Sequence, residues 1–192
     1  MTTKGRIERV ARREFARHGF EGASIRQITA EARVTKPVLY YYFKNKRDLF
    51  LGLLEEAVAP LCDEVEGIAH REALPIQQME HIVTAFKRFS RERPDEFRLL
   101  HRAVERRERE VQIIAQKYFR RIFRAISRVI NEGIERKNFR SLNVPQTTFS
   151  VIAILVYYLT RAHVINEVLG RKKGSEDLVE TLGQHVLGLL RA

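Results

Sequence analysis

The sequence predicts an all-α protein, and three observations carry that prediction. Apolar residues recur at spacings of three and four along most of the chain, the period of an amphipathic helix. Sustained alternation and Asn-Gly or Asp-Gly hairpin turns, the marks of strands, are absent. Cap and stop residues punctuate the apolar runs where helices of ordinary length begin and end.

In chain order, Ile7, Val10, Ala11, Phe15 and His18 form one face of a first helix, with Thr3 as its cap and Gly19 as its stop. Ser24 opens a second helix, with Gln27 in capping-box spacing and Ile25, Ile28 and Ala32 turned inward. Thr35 caps a third short helix that tolerates Pro37 in its first turn. Leu39 and Phe43, four apart, give that helix its core face. Asn45 with Asp48 caps a fourth, which buries Leu49, Phe50, Leu53, Leu54, Ala57 and Val58 and kinks or ends at Pro60.

After a polar stretch over 64–73, Pro75 opens a helix bearing Ile76, Met79, Ile82, Val83, Phe86 and Phe89. Arg93-Pro94 ends it. Phe97, Leu100, His101 and Val104 mark the next helix, and a long one spans about 109–136, with Asn138 as its left-handed stop. Asn143 and Pro145 open a strongly apolar helix that reaches Gly170. A loop at 171–174 follows. Ser175 then caps a last helix carrying Leu178, Leu182, Val186, Leu189 and Leu190.

Charge is unevenly placed. The net charge is +11, and residues 1–50 hold 12 Lys/Arg against 5 Asp/Glu, a net +7 in a quarter of the chain. A concentrated positive field is the footprint of a phosphate-binding surface. Cys62 is the one cysteine, so no intramolecular disulfide and no thiolate cluster forms, which suits a reducing, cytoplasmic setting. The start is charged and amphipathic, without a signal core. The longest apolar run, 149–159, reaches about half a membrane span, so no membrane partner is expected.

Two short helices joined by a tight turn, the second opening on polar residues, describe a helix-turn-helix over about 24–43. Opposite Leu39 and Phe43 stand Pro37 and Tyr41, with Lys36, Tyr40 and Tyr42 on the flanks. Three consecutive tyrosines are poor choices for a bland solvent face. They offer phenol donors and flat apolar area to phosphates, sugar edges and thymine methyls. Core packing is the alternative for any one of them. Lys46 and Arg26, each in the first turn of a helix, are placed to meet phosphates.

The stretch from Gly19 to Ile28, followed by Val34-Thr35-Lys36-Pro37-Val38-Leu39-Tyr40-Tyr41-Tyr42-Phe43-Lys44-Asn45-Lys46-Arg47-Asp48-Leu49-Phe50, resembles the amino-terminal domain of TetR-type transcriptional repressors. The similarity covers about residues 4–55. It implies about nine helices: a three-helix helix-turn-helix DNA-binding domain over 1–48, and a six-helix effector-binding and dimerisation domain over 49–192. It places Thr35, Lys36, Pro37, Tyr40, Tyr41 and Tyr42 where the family contacts DNA, and Arg26 and Lys46 where it grips phosphates. One position departs from the pattern. Arg33 stands in the turn where glycine is usual, and a left-handed residue there costs about 1 kcal/mol.

The helix over 149–168 is apolar nearly all round, so it is covered on more than one side. With the last helix it forms half of an intersubunit four-helix bundle, giving a homodimer that sets two reading helices about 34 Å apart on a palindromic operator. Burial within one subunit is the alternative. The basic stripe Lys117, Arg120, Arg121, Arg124 and Arg128 reads as a solvated face, with an anion-binding surface as the sharper alternative. The resemblance implies an effector pocket, for which Phe86, Phe89, Phe97, His101, Tyr118, Ile122 and Tyr157 are candidates, suited to a largely apolar small molecule. No cofactor or metal is expected. His101 with Glu105 and His163 with Glu167 have i, i+4 spacing, but neither pair has a third ligand at metal spacing. No nucleophile elbow or phosphate-binding glycine loop is present, so an enzyme is the weak alternative. A ligand-independent architectural DNA-binding protein is the other.

Overall fold

The computed structural model describes residues 1–107, 109–168, 170 and 181–191, without the side chain of His163. Every regular element among the described residues is helical. They are α1 (Thr3–Gly22), α2 (Ile25–Ala32), α3 (Lys36–Tyr42), α4 (Lys46–Ala69), α5 (Pro75–Glu92), α6 (Pro94–Glu105), α7 (Glu110–Ile114), a π-helical turn (Ala115–Phe119), α8 (Arg120–Glu135), α9 (Val144–Val168) and α10 (Leu182–Leu190). Residues 110–135 are helical throughout, which is the long helix expected over 109–136. The loop at 171–174, the Ser175 cap and Leu178 lie outside the described residues.

Helix α4 does not stop at Pro60. It continues to Ala69 and takes in part of the supposedly polar stretch, because Val65, Ile68 and Ala69 still have a core to enter. Two compact units result. The first comprises Met1–Pro60 and Arg93–Phe119, the second Leu61–Glu92 and Arg120–Ala192. The expected boundary at 48/49 thus falls inside α4.

In the first unit, Ile7, Phe15, Ile28, Leu39, Leu49, Phe50 and Leu53 are at most 1% exposed. Burying one such side chain contributes about 1.5–3 kcal/mol. The rings of Phe15, Phe20 and Phe50 meet at centroid distances of 4.8 and 5.2 Å around Phe50. The cap of α1 is Thr2, one residue earlier than expected, since the Thr2 hydroxyl accepts from the Gly5 N–H at 3.1 Å. Gly19 interrupts α1 with φ +72°, ψ −178°, a region nearly restricted to glycine, and a Cβ there would lie 2.8 Å from Nη1 of Arg106.

Helix α6 packs on α1 in this unit, and its buried face differs from the expected one. Leu99 and Ala103 are buried while Val104 is exposed, because the side turned to α1 also carries Arg102 and Arg106. Arg102 donates to the Ala16 carbonyl at 3.0 Å, and Arg106 to the His18 carbonyl at 3.2 Å. The two guanidiniums satisfy carbonyls at the end of the regular part of α1.

In the second unit, α5 packs against α8, α9 and α10. Buried Gln78 explains the end of α4: its amide donates to the carbonyls of Ile68, Ala69 and Arg71. Lys137, not Asn138, takes the left-handed position after α8, with φ 58°. Asn138 N–H bonds the Gly133 carbonyl and Lys137 N–H the Ile134 carbonyl, the paired bonds of a Schellman motif. The Phe139 ring then lies against Gly133, where a Cβ would meet it at 2.0 Å. Asn143 caps α9 by accepting from the Gln146 N–H. Of α9's apolar residues, Val151 and Leu155 are buried, whereas Phe149, Tyr157, Val164 and Val168 are exposed.

Candidate nucleic-acid interface

Seven residues build α3, and two local features aim it. Arg33 ends α2 in the left-handed region, φ 53°, ψ 51°. Arg33 N–H bonds the Ala30 carbonyl and Val34 N–H the Thr29 carbonyl, so the turn closes as it would with glycine. Thr35 follows with extended backbone at the N-cap position, but its hydroxyl makes no cap bond and is left facing out; Pro37 stands in the first turn. The tight turn therefore persists with Arg33 in the place where glycine is usual.

Leu39 is fully buried and Phe43 nearly so, which fixes the rotation of α3. Thr35, Lys36 and Pro37 are exposed, as are Tyr40, Tyr41 and Tyr42, the middle ring most of all at 83%. None of the three tyrosines belongs to the core. Tyr41 and Tyr42 pack edge to face at 5.1 Å, which orders both rings. Val38 is exposed as well, at 37%. The helical wheel held the signal, since Val38 lies closer to the pole opposite the Leu39–Phe43 pair than either flanking tyrosine does.

Arg26, Arg33, Lys36 and Lys44 are exposed around this surface and make no ion pair among the described residues. Lys46 is held differently. Its ammonium donates to the Glu21 carbonyl at 3.2 Å and sits 4.7 Å from the centroid of the Phe20 ring. The first turn of α4 is capped by its own side chains: Asp48 N–H donates to Asn45, and Lys44 N–H to the Asp48 carboxylate. Arg47 beside them pairs with Glu110 at 2.6 Å.

The candidate effector residues fall in both units. Phe86, Phe89 and Ile122 are buried in the second, and Tyr118 is buried in the first with Phe97 and His101 half-buried. Tyr157 does not fit the expectation of an interior residue: it is 54% exposed, because α9 turns Val151 and Leu155 inward instead.

The basic stripe is largely neutralised by the chain itself. Lys117 pairs with Glu55 at 2.8 Å, Arg128 with Glu132 at 2.8 Å, and Arg121 with Asp63 at 2.8 Å and with Glu66. That favours the solvated-face reading. Among the described residues, three metal-ligating groups converge at Cys62, Asp63 and Glu66. Arg121 already occupies both carboxylates, and burial pushes the Cys62 thiol up to about 11. This is a structural ion pair beside an inert thiol. His101 lies 3.4 Å from Glu105; the side chain of His163 is outside the described residues.

Residues 7–53 match the model of the bacterial regulatory proteins of the tetR family, and residues 75–189 match that of the tetracyclin repressor-like C-terminal domain. The chain belongs to the TetR family. A transcriptional repressor of Streptomyces coelicolor is 44% identical over 72 residues, 34% of this chain and 38% of that relative, so the match spans well under half its length. A probable regulator of Bacillus subtilis, YttP, is 24% identical over 171 residues, 88% of this chain and 83% of its own. Among solved structures, a tetR-family regulatory protein from Rhodococcus superimposes with a TM-score of 0.82 at 15% identity, over 100% of this chain and 98% of that one. The regulator PfmR from Thermus thermophilus gives 0.75 at 18%, over 96% of each chain. The family is one of bacterial regulatory proteins. No described helix is long and apolar enough to cross a membrane.

Proposed function

We propose that this TetR-family regulator is a dimeric repressor that docks α3 of each subunit into successive major grooves of a palindromic operator and is released by a largely apolar small molecule. The exposed surface of α3, Lys36-Pro37 with the tyrosine triplet, is the single observation that carries the reading. Lys36 and the phenols supply donors to base edges and phosphates, while Arg26 and Lys46 flank the helix as phosphate contacts. Thr35 is the hydroxyl at the entrance to the helix.

The dimer rests on α9. Phe149, Tyr157, Val164 and Val168 keep apolar surface exposed along α9, Phe149 with its ring beside Phe123, and Leu189 does so on α10. A two-fold axis there gives paired reading heads about 34 Å apart. Buried Phe86 and Phe89 of α5 with Ile122 of α8 are the proposed effector contacts. The effector acts by binding one head spacing more tightly than the other. Residues 93–119 share a compact unit with the reading helices, so a shift in α6 is felt at α1 through Arg102 and Arg106.

Gel shift on DNA upstream of the protein's own gene, with a salt titration, tests this. Selective binding that weakens steeply with salt is expected. No preference over random duplex contradicts it.

A further inference from the structure

Val38 leaves apolar surface on the solvent side of α3, where it serves neither core nor cap. A β-branched residue is also a mediocre choice for so short a helix. Pro37 and Val38 both neighbour Tyr41 on the wheel, four and three residues away, so the three make one continuous apolar facet. Lys36, Tyr40 and Tyr42, which can donate hydrogen bonds, border it. In the major groove, base edges present acceptors and amino donors at every pair, but only one apolar group, the C5-methyl of thymine. Against a cytosine amino group or a guanine carbonyl, the facet would strip water and return no hydrogen bond.

We infer that Val38, with Pro37 and the ring of Tyr41, is a thymine-methyl reader, and that each operator half-site places a thymine beneath it. The inference rests on the docking of α3 proposed above and assigns that site a base. The methyl group is the apolar partner of the facet, so Val38 distinguishes thymine from uracil as well as from cytosine. The positive surface around α3, with Arg26, Arg33, Lys36 and Lys44 exposed, supplies the sequence-independent grip that holds the facet against the groove floor.

The test begins with an operator selected from random duplexes by the full-length protein. Each thymine is then replaced by deoxyuridine, symmetrically in both half-sites, and binding is followed by fluorescence anisotropy. The substitution removes one methyl and leaves pairing and hydrogen-bonding edges intact. One position should lose about four-fold per methyl, the factor that one buried carbon contributes, and about sixteen-fold for the pair of half-sites. Val38→Ala should bind the thymine operator more weakly and treat thymine and uracil alike there, while isosteric Val38→Thr keeps part of the preference. Selective binding with no position changing more than two-fold overturns the reader and leaves α3 docking standing. A thymine preference that persists in Val38→Ala overturns the assignment to Val38. Absence of any selectable operator overturns the docking itself.

Discussion

Arg47, in the first turn of α4, is ion-paired at 2.6 Å to Glu110, the first residue of α7, whose side chain is 3% exposed. The pair is lopsided, since Arg47 is 58% exposed. It ties the turn directly after the reading helix to a segment more than sixty residues on, inside one compact unit. Removing Arg47 strands a buried carboxylate, whereas removing Glu110 frees a solvated guanidinium. Arg47→Ala should therefore cost about 2–3 kcal/mol and Glu110→Ala clearly less. Urea titration of both variants checks the order.

Arg33 should be improvable. Its left-handed conformation is one that glycine adopts without strain, while its side chain makes no ion pair among the described residues. Arg33→Gly is expected to stabilise the protein by up to about 1 kcal/mol. A rise in Tm reports it. A fall would mean that the arginine contributes more than the backbone strain takes away.

Acid should weaken the second unit through Glu66. Hydrogen bonds from Arg121, at 2.5 and 2.9 Å, hold its carboxyl below the ordinary 4.5. The folded state therefore binds fewer protons than the unfolded one as pH falls through that value. The stabilisation is present above it and lost below it. Arg121→Gln should flatten this part of the acid limb of a stability–pH curve. The effect stays within about 1 kcal/mol, because both groups are partly solvated.

Tyr157 tests the proposed subunit contact without disturbing the fold. Exposed as it is on α9, Tyr157→Glu should leave helical content unchanged and shift the protein from dimer to monomer in light scattering. An unchanged dimer would move the interface away from α9.

The α3 surface was legible in sequence because everything that shapes it is local. The core pair Leu39 and Phe43 sets the rotation, and helical periodicity then dictates which side chains face out. Val38 was legible by the same rule, although an apolar residue reads by default as core. Caps slipped by one residue, at Thr2 for Thr3 and Lys137 for Asn138, since adjacent residues compete for the same role and the backbone decides. The membership of α6 was not legible. Arg102 and Arg106 bond backbone carbonyls of α1, which no side-chain pattern records, and that contact turns Val104 outward. Pro60 misled for a related reason, as buried Val65 and Ile68 keep α4 helical beyond it.

The docking of α3 into operator DNA is tested most directly by combining Lys36→Ala with Tyr42→Ala. Both side chains are exposed, so the variant should fold as the parent does, which circular dichroism verifies. The ratio of affinities for operator and random duplex is then measured at one fixed salt concentration. The proposed docking predicts that the ratio collapses toward one. A ratio equal to the parent's would contradict it.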